Sequence, residues 1–172
     1  MKQSLITLAV VGLTALAVAY ALRNVRHFHG GGEDGARVWF YDQQSRRLYS
    51  APRDLIPPDG KNDVRVRALV VGFQGLPNDP SQLKIAYLEK YSPDFKALLE
   101  RAEAARASRL PFTEQIPSPN SPYAEQNTFV KRPSDSVWQP TGSPAARAII
   151  EEWRSWQGPG GEAPIISVPL MR

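Results

Sequence analysis

Eighteen consecutive residues without a charge, LITLAVVGLTALAVAYAL from Leu5 to Leu22, constrain this chain more than any other feature. Wound as a helix, the run is just long enough to cross the hydrocarbon of a bilayer, and it exceeds the apolar stretch of about 7–15 residues typical of a signal peptide. Leu5, Val10, Leu13, Leu16 and Leu22 are the side chains that such an anchor sets against lipid. Ser4, Thr7 and Thr14 are tolerable there, because hydroxyls bond back to helix carbonyls. Lys2 precedes the run and Arg23 and Arg26 follow it, so the flanking positive charge is nearly balanced and orientation stays open. The competing reading is a cleaved signal peptide, since Ala17-Val18-Ala19 and Ala19-Tyr20-Ala21 supply small residues at the spacing of a cleavage site. Run length favours the anchor. The expectation is a single-pass membrane protein whose soluble domain lies outside the cytoplasm.

RNVRHFHGGGEDGAR follows, and its four glycines cannot hold regular structure cheaply, so it reads as a flexible tether. His27 and His29 lack a third ligand at convincing spacing, and no metal is expected. GGGEDG lacks the Lys and Ser/Thr of a phosphate loop, and its acids repel phosphate.

Beyond the tether the pattern alternates between strand and helix signals. RVWFYDQQSRRLYSAP packs Val38, Trp39, Phe40 and Tyr41 side by side, and a strand sends Val38 and Phe40 to one face and Trp39 and Tyr41 to the other. Each face then receives one large ring, which fits core packing better than a ligand platform. Leu48–Ser50 returns as the second strand of a hairpin. VRVRALVVGF, Val64–Phe73, starts with one wet face and becomes apolar on both, as a central strand covered on both sides does. A helix is expected from Ser81 to Tyr91, with Leu83, Ala86, Tyr87 and Tyr91 on one stripe. Ser92-Pro93 starts a second helix reaching Ser108, with Phe95, Leu98, Leu99 and Ala102 on its core side. Leu110–Pro122 holds four prolines and reads as a surface loop. Thr128–Lys131 and Val137–Gln139 form a second hairpin. Ser143-Pro144 starts a last helix, Ala145–Gln157, which Gly158 and Pro159 end, and Ile165–Val168 adds an edge strand.

Composition removes several kinds of chemistry. The 172 residues include no cysteine, which excludes disulfides, thiol nucleophiles and thiolate metal sites. Both histidines lie in the tether, so the domain holds no Ser–His–acid triad. The 21 Lys and Arg are interleaved with 17 Asp and Glu, a mixed surface rather than the clustered basic face of a nucleic-acid binder. Among the acids, no spacing selects a catalytic pair. The strand ending at Phe73, with GLPNDP after it, is the best-placed cleft, since open sheets bind ligands at strand C-ends. Trp138, Trp153 and Trp156 are the candidate binding residues: Trp153 and Trp156 share a helix face and read first as core, while Trp138 with one of them is the candidate lining of a peptide groove.

VWFYD with LYSAP, VRALVVGF, AYLEKYSPDFKALLE and FVKRPSDSVW together resemble uncharacterised membrane-anchored proteins of planctomycete-type bacteria. The resemblance covers residues 37–100 and the FVKRPSDSVW stretch, implies a bacterial anchored domain, and carries over no catalytic residue. Relatives carry cysteines near Gly72–Gly75; this chain has none there, so no redox role carries over.

The expected fold is α+β: an N-terminal transmembrane helix followed by a small mixed domain of short strands and hairpins with three or so helices. Residues 1–23 are the anchor, 24–36 the tether, 37–158 the globular domain and 159–172 a C-terminal tail. The expected role is a non-catalytic one, binding or positioning another cell-envelope protein. The expected partners are the bilayer, through residues 5–22, and that envelope protein; no cofactor and no nucleic acid are expected. The alternative is an exported carboxylate-dependent hydrolase acting on cell-wall material. A third reading, a basic domain lying on anionic lipid, predicts liposome binding that disappears at high salt.

Overall fold

Apolar residues alternating along short segments build one antiparallel sheet, described by a computed structural model for residues 36–60, 64–73 and 82–169. Strands β1 (Arg37–Asp42) and β2 (Arg47–Pro52) form the expected first hairpin. Asp42 Oδ1 accepts from the Gln44 and Ser45 backbone N–H groups, 2.9 Å each, and this folds the turn. β3 (Arg65–Phe73) is central, pairing with β1 along its first half and with β4 (Lys84–Tyr91) on its other side. β5 (Thr128–Lys131) and the short β6 (Gln139–Pro140) extend the sheet beyond β4 as a second hairpin, whose last strand shares only Gln139 with the expected Val137–Gln139. The strand order is β2-β1-β3-β4-β5-β6. β7 (Pro164–Ile166) comes back to pair with Val71–Phe73 of β3, and Ser167 N–H extends the ladder to the Val70 carbonyl at 2.8 Å.

The segment expected to be a helix at Ser81–Tyr91 is strand β4, and a bulge explains the misleading pattern. The register shifts between Leu69↔Tyr87 and Val70↔Ile85, so Ala86 is an extra residue on β4. Ala86 and Tyr87 both pack with Val71 on one face, whereas Leu83, Ile85 and Leu88 pack on the other. A bulge therefore produces the i, i+3, i+4 spacing that reads as a helical stripe.

Three helices are described. Helix α1 (Pro93–Ala107) and helix α3 (Pro144–Glu152) begin at the two Ser-Pro signals. Ser92 Oγ accepts from the Phe95 N–H at 3.3 Å and Ser143 Oγ from the Ala146 N–H at 3.1 Å. Helix α2 (Pro122–Asn127) uses the same device, with Ser121 Oγ accepting from the Ala124 N–H at 3.2 Å; it starts where the loop expected over Leu110–Pro122 ends. Helix α3 ends earlier than expected, and Trp153–Ser155 continue as a single 3-10 turn.

All three helices lie on one face of the sheet. Ala146 and Ile149 of α3 pack on Val71, Ala86, Tyr87 and Val130, while Phe95 of α1 and Ala124 of α2 pack with Tyr91 and Ile56. Tyr91, Phe95 and Tyr123 stack edge to face, with centroids 5.3 and 5.7 Å apart. The opposite face carries Val66, Ala68, Val70 and Leu88, packed with Trp39, Tyr41, Leu48, Leu83, Ile85 and Trp138. Every member of that second layer comes from the sheet or from the loops joining its strands.

Among the described residues no helix is long and apolar enough to cross a membrane. The anchor expected at Leu5, Val10, Leu13, Leu16 and Leu22, the tether with His27 and His29, and the GLPNDP cleft all lie outside the described residues.

Candidate functional site

Trp138, expected to share a groove with Trp153 or Trp156, lies on the opposite face of the sheet from both. Trp153 and Trp156 follow α3 and lie half-buried against the layer of Val71, Tyr87 and Val130. The Arg154 guanidinium sits 5.8 Å from the Trp153 ring centre. Trp138 belongs to the helix-free face with Leu88 and its neighbours. The reason is the alternation of β5: Val130 turns toward the helices, Lys131 turns away, and Trp138 lies on the Lys131 side.

Trp138 is the centre of a cation–aromatic cluster. Lys90 Nζ lies 5.0 Å and Lys131 Nζ 5.2 Å from its ring centre, both within cation–π range. Lys131 Nζ also donates to the Asp135 carbonyl at 3.0 Å. Burial lowers the Lys131 pKa, and the Lys90 charge lowers it further while Asp135 opposes the shift. On the same face Arg37 of β1 donates to Ser50 Oγ at 2.9 Å and to the Ser50 carbonyl at 2.7 Å. Trp39 and Tyr41, adjacent on that face, are half-buried, and Trp39 Nε1 is buried with no hydrogen-bond partner. Phe40 turns to the helix side and is fully buried. One of the two large rings that the sequence assigned to the core therefore sits there; Trp39 lies in a face that no described helix covers.

A groove of about 570 Å³ runs between α3 and the β5–β6 loop. Val137, Ala145, Ala148 and Ile149 give it an apolar floor, and Val137 is 61% exposed. Its rim holds Arg132, whose guanidinium reaches Glu152 at 2.5 Å and Asp135 at 3.3 Å. Trp138 flanks this loop in sequence, but its ring points to the other face of the sheet.

Several carboxylates that a hydrolase would need are engaged by cations or backbone N–H groups. Glu89 faces Arg67 at 3.5 Å with both side chains largely buried, and Arg67 also donates to the Leu55 carbonyl at 3.2 Å. Glu114 accepts both arms of Arg101, at 2.9 and 2.7 Å, which lowers its pKa. The Ser45 and Gln44 N–H groups, with Arg65, lower the pKa of Asp42. Lys96 bonds Glu100, and Arg106 bonds Glu103 at 2.7 Å. A glycosidase acid needs the opposite treatment, a carboxyl whose pKa is raised. Among the described residues no group of three or more His, Asp or Glu side chains is arranged to hold a metal. The cation–aromatic cluster was invisible to sequence reading because Lys90, Lys131 and Trp138 come from three strand regions, and only the β4–β5–β6 pairing brings them together.

The chain matches no protein-family model, no curated protein and no solved structure.

Proposed function

We propose that this chain is a membrane-tethered, non-catalytic domain that binds or positions another protein of the cell envelope, in a bacterium of the planctomycete type whose anchored proteins it resembles. The observation that carries the reading is the arrangement along the chain. An uncharged run of membrane-spanning length, Leu5–Leu22, and a glycine joint precede a unit from Gly35 onward that has its own sheet and core. The exposed groove beneath Val137 supports a protein partner, since an apolar floor with a charged rim is the usual anatomy of a contact surface. The hydrolase alternative draws no comparable support, because Asp42 and Glu114 are stabilised as ions and Glu89 is engaged by Arg67.

Two measurements on the native membrane test the reading. Intact mass after an alkaline wash is expected to show the full-length chain retained with lipid; a chain starting near Tyr20 or Leu22 in the soluble fraction refutes the anchor. A photo-crosslinker at Val137 is expected to capture one discrete envelope protein. Capture of none, with the chain intact in the membrane, refutes the partner.

A further inference from the structure

We propose that the helix-free face of the sheet is a docking surface for the anionic headgroup layer of a bilayer, so that the domain lies against the membrane that holds its tether. The inference rests on the anchored reading above and adds to it a second, reversible contact.

Three observations carry it. The first is coverage: the three helices pack on one face, and Trp39, Tyr41, Leu48, Leu83, Ile85 and Trp138 remain half-buried on the other with no described helix over them. The second is charge. Strand alternation places Arg37, Lys90 and Lys131 on this face and sends the strand acids Asp42 and Glu89 to the helix side. Every charge that the strands contribute to this face is positive. Arg37 directs its hydrogen bonds to the neutral oxygens of Ser50, while Lys131 bonds the Asp135 carbonyl and is partly offset by the Asp135 charge. The third is chemistry: rings with a polar edge beside long cationic side chains are the residues that settle at headgroup depth, with apolar bodies toward the acyl chains and ammonium groups toward phosphate.

The layout favours a lipid layer over an acidic protein segment. Arg37 stands on β1 and the Lys90–Trp138–Lys131 cluster on β4 to β6, with the apolar residues of β3 and β4 between them. At about 4.8 Å per strand the two cationic regions lie two to three strand spacings, about 10–14 Å, apart. A continuous anionic layer meets both at once in any orientation; a peptide segment meets both only if it runs across the strands. The tether enters β1 directly, and β1 supplies Arg37, Trp39 and Tyr41 to this face.

The absence of native cysteine makes a site-directed label clean. The full chain carrying Leu48→Cys with a nitroxide is reconstituted into phosphatidylcholine vesicles with and without phosphatidylglycerol, and collision with an aqueous nickel complex is read. The expected result is shielding of the label only on the anionic vesicles, with release at high salt. Lys90→Gln with Lys131→Gln is expected to reduce the docked-to-undocked ratio by about 25-fold, at the usual contribution of one cation near an anionic surface. A label at Val137→Cys, by the α3 groove, stays aqueous throughout. Equal accessibility on both vesicles overturns the proposal and leaves an acidic protein as the occupant to seek. Shielding that ignores salt and lipid charge also overturns it, since an apolar contact with protein then covers the face. An alkaline wash of the same vesicles separates this from the anchor. A chain retained with an unshielded label refutes docking alone, and a chain released after salt-sensitive shielding refutes the anchor alone.

Discussion

Arg67 and Glu89 meet on the helix side of the sheet, each only partly screened by water, with side-chain exposures of 15% and 13%. Removing one partner strands the other in a poorly hydrated place. Arg67→Met is expected to lower stability by about 3–5 kcal/mol, whereas Arg67→Met with Glu89→Leu returns the chain to within about 1 kcal/mol of its starting value or above it. Urea unfolding of the three chains checks this. Two neighbouring phenols make a second prediction. Burial raises the pKa of Tyr87 and of Tyr91 far above the ordinary 10.0, and the Glu89 charge adds to both shifts. A pKa that is higher in the folded state means stability that is full below pH 10 and is lost as pH rises above it, because the unfolded chain releases the proton first. Tyr87→Phe is therefore expected to move the onset of alkaline unfolding upward, read by circular dichroism. An onset that Tyr87→Phe leaves unmoved contradicts it.

At the scale of elements, local signals were legible and faces were not. The β1–β2 hairpin, β3 and the β5–β6 hairpin follow from branched and aromatic runs between turn residues. Two of the three Ser-Pro caps were read correctly, while α2 escaped because it is six residues long and buries only Ala124. Strand β4 was misread because its bulge gives Ala86 and Tyr87 the same face. A bulge is fixed by pairing with β3, and that partner is distant in the sequence. The tryptophans failed similarly: the residue type announces burial, but which side of a sheet it joins depends on strand order. The caps carry their own prediction. Ser143→Ala is expected to cost about 0.5–2 kcal/mol, since the Ala146 N–H loses its acceptor, and thermal unfolding reads the loss. Ser143→Asp restores it.

For the molecule as a whole, the sheet is completed from the far end of the sequence. β3 is the centre, yet Val71–Phe73 receive β7 from residues beyond the last helix. Ser167, next to β7, is 7% exposed, and the edge strand expected at Ile165–Val168 is built into the sheet as Pro164–Ile166. Deleting residues 159–172 is expected to abolish cooperative unfolding and to drive the chain into aggregates, because Val71 and its neighbours then present an uncharged unpaired edge. A soluble truncated chain with an unchanged midpoint overturns that expectation. The same pairing sets a schedule. As synthesis proceeds from the N-terminus, the β1–β2 hairpin, β3 and β4 emerge early, but the closing strand follows every other described strand. Through that interval the nascent chain carries an open apolar strand at its centre, and only the emergence of β7 ends that exposure.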